Sequence, residues 1–164
     1  MSLINSVTPT ASAPSTWFDM LLINDCEPDE RLDDITRDIA QLFKVSTVMI
    51  NLLTDDKIYF KSCTGETQGD SVDGEGAFCS LAVLQDEPLI ISDTLADPRF
   101  KNYWMVSGPL AIRSYIGIVL HAPDGSVIGT LCLLDTSPRI YNAEEISLLD
   151  DFAKMADTHL RAIL

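Results

Sequence analysis

The sequence predicts an α/β domain, and three observations predict it. Apolar residues recur at helical spacing near both ends, at Leu32, Ile35, Ile39, Leu42 and Phe43 and again from Ile146 onward. The segments between them are short, rich in β-branched and aromatic residues, and separated by turn residues. One of these, Tyr115 to His121, is apolar on both alternating faces, with Ile116, Ile118 and Leu120 on one side and Tyr115 and Val119 on the other. A strand of that kind lies between two layers. With 164 residues, one such domain suffices and would bury roughly 70% of its unfolded surface.

Taken in order, Met1 to Thr16 is rich in Ser, Thr, Ala and Pro. It lacks the cationic start and continuous apolar block of a secretory signal, so residues 1–16 read as a leader or linker and 17–164 as the domain. Trp17, Phe18, Met20, Leu21, Leu22 and Ile23 suit a short helix, and Asn24 to Glu27 a turn. A second helix is expected from Asp29 to Phe43, with Pro28 at its start and acidic residues in its first turns. Thr47 to Leu53 and Lys57 to Cys63 then form a hairpin around Thr54-Asp55-Asp56. The polar run Thr64 to Gly76 reads as a loop, Ala77 to Gln85 as a helix ended by Pro88, and Leu89-Ile90-Ile91 as a short strand.

Asp97 before Pro98 is a sound helix start, so a helix is expected over Arg99 to Met105, broken by Ser107-Gly108-Pro109. Tyr115 to His121 and Val127 to Leu134 are two strands joined by Pro123-Asp124-Gly125-Ser126, the clearest hairpin of the chain. Asn142 followed by Glu145 marks a capping box and opens a helix running to the last residue. That helix carries two apolar stripes: Ile146, Leu149, Ala153, Ala156, Leu160 and Ile163, and beside them Leu148, Phe152 and Met155. Either one stripe meets the sheet and the other a second helix, from this chain or another subunit, or the two make one wide core face.

Charge and cysteine content exclude several classes. The net charge is −14, and no Lys or Arg occurs between Ser62 and Pro98, a span holding Glu66, Asp70, Asp73, Glu75, Asp86, Glu87, Asp93 and Asp97. Such a surface repels phosphate backbones and anionic lipid, so no nucleic-acid partner is expected. No apolar run approaches the ~20 residues of a membrane span, and the domain reads as soluble, with no membrane insertion. Cys26, Cys63, Cys79 and Cys132 lie far apart without a Cys-x-x-Cys pair or a nearby His, which argues against a metal site and against a disulfide scaffold. A cytoplasmic location is therefore expected.

Several short motifs occur in succession: Phe78-Cys79-Ser80, Asp93, Asp97-Pro98-Arg99-Phe100, Ile112-Arg113-Ser114-Tyr115, Asp124-Gly125, Gly129-Thr130-Leu131-Cys132-Leu133-Leu134-Asp135 and Pro138-Arg139. In this order and spacing they resemble the core of a GAF domain. The likeness covers residues 17–164 and is to the subgroup that precedes diguanylate cyclase, phosphodiesterase or histidine kinase domains in bacterial sensory proteins. The resemblance implies a central antiparallel sheet of five to six strands, with terminal helices on one face and short helices and loops enclosing a pocket on the other. Phe78, Phe100, Trp104 and Tyr115 are then candidate apolar walls, with Cys79 and Cys132 beside them. Arg99 and Arg113 are candidates to bind a carboxylate or phosphate, and Asp93 to accept from an amine. Arg99 has an alternative role in pairing with Asp93 or Asp97. Gly117 and Gly129 would leave room for a ligand or let a helix approach.

The resemblance implies a non-catalytic regulatory domain that binds a small ligand, dimerises through its terminal helices, or both, and so controls an attached effector domain. No cofactor is expected. A free methionine-(R)-sulfoxide reductase-like enzyme is one alternative, with Cys79 poised in the pocket, but Asp97 to Pro109 holds no cysteine and the Gly-His-Ile-Ala-Cys-Asp type of motif is missing. A dimerisation-only module is another. A bilin or cyclic-nucleotide receptor is disfavoured, because neither His121 nor His159 follows a cysteine and no Asn-Lys-x-Phe-Asp-Glu signature occurs. Hydrolase elbows and phosphate loops are absent too, Gly65, Gly69, Gly74 and Gly76 being irregularly spaced in an acidic loop.

Overall fold

Helix α1, Glu30–Phe43, starts where the sequence places it, because Asp29 caps it: the carboxylate accepts the amide hydrogen of Leu32 at 3.0 Å. Lys44 ends it in the left-handed region, φ 54°, with its N–H on the Ala40 carbonyl. A computed structural model describes residues 29–53, 57–65, 71–73, 78–85 and 87–162. The short helix at Trp17–Ile23, the 16/17 boundary, the turn at Thr54-Asp55-Asp56 and Ile163 lie outside the described residues. Leu32, Ile35, Ile39 and Phe43 are buried as the periodicity requires, whereas Leu42 points outward. Thr36, also buried, hydrogen-bonds Ser62 (2.9 Å), and Ser62 donates to Asp33 (2.6 Å), which ties α1 to the sheet.

The sheet has six antiparallel strands: β1 Thr47–Leu53, β2 Lys57–Cys63, β3 Ser71–Asp73, β4 Leu89–Ile91, β5 Ser114–His121 and β6 Val127–Asp135, in the order β3-β2-β1-β6-β5-β4. The predicted fold class holds. β3 corrects the reading of Thr64 to Gly76 as pure loop: three residues without apolar alternation become a strand only because Lys57–Tyr59 of β2 pairs with them. The hairpin between β5 and β6 closes with Ala122 donating to Ser126 and Gly125 to Ala122, Gly125 supplying the positive φ of 88°.

Helix α2, Phe78–Ala82, is shorter than expected, because Leu84 and Gln85 bond the third residue back instead of continuing the α ladder. The helix expected over Arg99 to Met105 is displaced to α3, Trp104–Ser107. Asp97 still accepts the Arg99 amide at 3.0 Å, as a helix cap would, and binds the Arg99 guanidinium as well, but no α ladder follows it. Tight turns succeed it, Phe100 bonding to Asp97 and Tyr103 to Phe100.

Helix α4, Ala143–Ala162, opens on the predicted capping box, with Glu145 N–H on Asn142 Oδ1 (2.8 Å) and Asn142 N–H on Glu145 Oε1 (3.0 Å). Replacing Asn142 by alanine should cost about 1 kcal/mol of unfolding free energy in a denaturant titration. Arg139 reinforces the junction, donating to Glu145 and to the Phe43 carbonyl while stacking on Tyr141. At the far end His159 Nε2 meets both Asp29 carboxylate oxygens at 2.9 Å, fastening α4 to the start of α1.

Two cores result. Leu149, Ala153, Ala156 and Leu160 of α4 pack with α1 against Val48, Ile50, Leu52, Ile116, Ile118, Leu120, Leu131 and Leu133. Phe152, from the second stripe, packs partly against the same core, whereas Leu148 and Met155 stay exposed. On the opposite face of the sheet, α2, α3 and the turns between β4 and β5 cover Met49, Ile58, Tyr115, Cys132 and Leu134. No helix among the described residues is long and apolar enough to cross a membrane.

Candidate functional site

Period-2 alternation sends Val48, Ile50 and Leu52 of β1 toward the long helices and Met49 and Asn51 the other way. On β6 the same rule turns Leu131 and Leu133 to the helices and Cys132 and Leu134 to the opposite face, to which Thr130 also belongs. Register does the rest. Asn51 lies opposite Thr130 and Met49 opposite Cys132, while on the other flank Gly117 lies opposite Cys132 and Val119 opposite Thr130.

Helix α2 lowers Cys79 onto this patch. Cys79 Sγ stands 3.8 Å from Cys132 Sγ, receives the Tyr115 hydroxyl at 3.4 Å, and receives the Asn51 amide at 3.4 Å; the same amide reaches Cys132 Sγ at 3.6 Å. All of these side chains are buried. Two polar atoms at the centre, Asn51 Oδ1 and Thr130 Oγ1, are buried without a hydrogen-bond partner among the described residues.

The electrostatics depend on who donates to whom. Hydrogen bonding from Cys132 lowers the Cys79 thiol to about 6 against the opposing effect of burial, with Thr130 (though short of good hydrogen-bond geometry), Tyr115 and Asn51 adding to the fall. Cys132 is pushed well up, first by that same hydrogen bond to Cys79 and then by burial. Burial raises the Tyr115 phenol, so it stays a donor. The pair therefore combines one sulfur inclined to be a thiolate with one that holds its proton.

Aromatic rings close the patch from above. Phe78 is fully buried among Phe100, Tyr103 and Tyr115, at centroid distances of 5.5, 5.3 and 5.0 Å, the Tyr103 ring stacked and the Phe100 ring edge-on.

Of the residues that the sequence marks as candidates, Phe78, Cys79, Phe100, Tyr115 and Cys132 come together here. The other four stand apart. Asp93 accepts the Leu95 amide in a turn, Arg99 pairs with Asp97 at the surface and lies over the Phe100 ring, Trp104 is partly exposed on α3, and Arg113 donates to the Val106 and Ile112 carbonyls. The roles expected of Gly117 and Gly129 need correction, since neither leaves space. A Cβ on Gly117 would stand 2.2 Å from the Tyr115 hydroxyl, and one on Gly129 would stand 1.9 Å from the Asn51 carbonyl oxygen. They admit the tyrosine side chain and a neighbouring strand, not a ligand or a helix. Asn51 and Tyr103 are members of the site that the motifs do not mark, and Thr130, though inside the Gly129–Asp135 motif, is not singled out by it. Asn51 does carry a signal, being the one polar residue in the run Val48 to Leu53.

Comparison with known proteins agrees with this architecture. Residues 27–160 match the family model described as the GAF domain. A cyclic di-GMP phosphodiesterase of Pseudomonas aeruginosa is 26% identical over 148 residues, 90% of this chain; the chain spans 25% of that protein's length. Two solved structures share the fold at low identity. Free methionine-R-sulfoxide reductase from Neisseria meningitidis has a TM-score of 0.66 at 19% identity, over 80% of this chain and 77% of that one. The blue-light absorbing form of the Thermosynechococcus elongatus PixJ GAF domain has 0.62 at 12%, over 80% and 83%. With terminal helices behind a six-stranded sheet, short helices in front and most of its length inside the family model, the chain belongs to the GAF domain family.

Proposed function

We propose that this chain is a non-catalytic, cytoplasmic sensory domain of a bacterial signalling protein, that it binds a small ligand over the Asn51–Thr130 patch, and that it controls an attached effector domain through α4. One observation carries the ligand reading: Asn51 Oδ1 and Thr130 Oγ1 are buried with no partner among the described residues. Buried polar groups are nearly always paired, so such atoms mark where a ligand's complementary groups would settle. Phe78, Phe100 and Tyr115 would wall the ligand, with Cys79 and Cys132 at its base, and Trp104, exposed on α3, would have to turn inward to join them. Arg99, Arg113 and Asp93 would have to exchange their present partners to reach the ligand. The likeness to part of a cyclic di-GMP phosphodiesterase supports an effector of the cyclic-dinucleotide class.

A ligand that binds one arrangement of α2 more tightly than another would change their relative stability by about 1 to 3 kcal/mol, enough to alter output several-fold. Thermal-shift and calorimetric titration against a metabolite library should find a stabilising compound whose affinity falls about tenfold in Thr130→Val. Native mass spectrometry of the purified domain should show it as a bound mass. A second reading, dimerisation without a ligand, rests on the exposed Leu148 and Met155 row of α4. No stabilising compound together with a dimer lost in Leu148→Glu would favour it. Reductant-dependent consumption of free methionine sulfoxide would contradict the non-catalytic reading.

A further inference from the structure

We propose that Cys79 and Cys132 form a reversible dithiol–disulfide pair, closed by a hydroperoxide, which locks α2 onto the centre of the sheet. This inference goes beyond the sensory reading and stands whether or not a ligand binds. The two thiols come from different elements, 53 residues apart in sequence, and the fold places their sulfurs at 3.8 Å. A disulfide bond is about 2.05 Å long, so the sulfurs must close by about 1.8 Å.

Mere packing would surround both thiols with hydrocarbon. Instead the Asn51 amide and the Tyr115 hydroxyl both aim hydrogens at Cys79 Sγ, an arrangement that favours a thiolate, the form that reacts. Cys63 offers an internal contrast: it is less buried, but it donates to the Gly65 carbonyl and burial raises its pKa, so greater exposure does not make it the reactive thiol. The oxidant reaches Cys79 by opening of α2, which must lift the buried Phe78 and Ala82 off the sheet with it, so this opening sets the rate of oxidation.

The chemistry balances with the hydroperoxide as sole co-reactant. The Cys79 thiolate attacks the outer peroxide oxygen; the S–O bond forms, the O–O bond breaks, and the leaving oxygen takes up a proton. Cys132 sulfur then attacks the Cys79 sulfenic sulfur; the S–S bond forms, the S–O bond breaks, and the Cys132 proton leaves with hydroxide as water. Two electrons pass from the thiols to the peroxide, which for hydrogen peroxide yields two waters. A thiol reductant reverses the bond by exchange.

The test uses the full chain carrying Cys26→Ser and Cys63→Ser, in which the pair supplies every thiol, alongside the unsubstituted chain. Folded protein is treated with equimolar hydrogen peroxide, unfolded in an alkylating agent, and analysed by thiol count and peptide mapping. The expected result is loss of both thiols, a linked peptide joining Cys79 to Cys132 within one chain, recovery with dithiothreitol, and slowed amide exchange in α2. Two results would overturn the proposal: both thiols surviving in the folded protein, or Cys79 advancing to sulfinic acid while Cys132 stays reduced. In Cys132→Ser, which removes the resolving thiol but keeps a hydroxyl donor beside Cys79, the Cys79 sulfenic acid should persist and be captured by dimedone. Absence of that adduct would equally overturn it.

Discussion

Replacing Phe78 with alanine lowers the unfolding free energy by about 4 kcal/mol, a large share of the roughly 5 to 15 kcal/mol that a domain of this size possesses. Phe78 is fully buried, and three rings lie within 5.5 Å of its centroid, so truncation opens a cavity in the one layer that covers the Asn51–Thr130 patch. Those neighbours are fixed from several elements, Tyr115 from β5 and Phe100 and Tyr103 from consecutive turns, so they cannot all collapse inward. The loss should also speed amide exchange across α2. Ile140, 82% exposed, supplies the control: its alanine variant should stay within about 0.5 kcal/mol of the parent in the same urea titration.

Gly129→Ala is the second large effect, a loss of about 3 kcal/mol measured the same way. The obstacle is backbone, not a flexible side chain: the added methyl would fall 1.9 Å from the Asn51 carbonyl oxygen and 3.2 Å from the Leu52 Cα. β1 and β6 must therefore separate at the register position that presents Asn51. Since Asn51 holds both thiols through its amide, the variant should also perturb the environment of Cys79 and Cys132. Gly125→Ala, where nothing lies within 4 Å but φ is +88°, should cost only about 1 kcal/mol, through backbone strain alone. The difference between the two alanine variants separates close approach from conformational preference.

Features written in local patterns are legible from the chain. The Asn142 and Glu145 capping box, the start of α1 at Asp29, the Gly125 hairpin and the apolar rhythm of Leu149, Ala153, Ala156 and Leu160 depend on residues a few positions apart, and all appear where expected. Features settled by distant partners are not. Ser71–Asp73 is a strand because it pairs with β2, and the stretch after Asp97 closes into successive tight turns, so that the helix begins only at Trp104. Gly117 and Gly129 resemble openings because a sequence does not show that a tyrosine side chain and a strand fill them.

The candidate site divides along the same line. Phe78, Phe100 and Tyr115 are recognisable as apolar walls, and Cys79 and Cys132 as buried thiols, but their meeting at 3.8 Å depends on the β1, β5 and β6 registers together with the descent of α2. Charged candidates fare differently: Arg99 takes the Asp97 pairing that its place in the sequence offers as one alternative, whereas Arg113 finds the Val106 and Ile112 carbonyls, which residue type alone does not reveal.

The central claim is that the covered face of the sheet keeps a polar pair without protein partners, and Thr130→Val tests it most directly. Valine matches threonine in shape and replaces only the hydroxyl by a methyl, so the unfolding free energy should rise by about 1 kcal/mol if that oxygen is buried and unpaired. A fall of similar size would show that the hydroxyl is already satisfied within the fold, and the Asn51–Thr130 patch would then be an ordinary core.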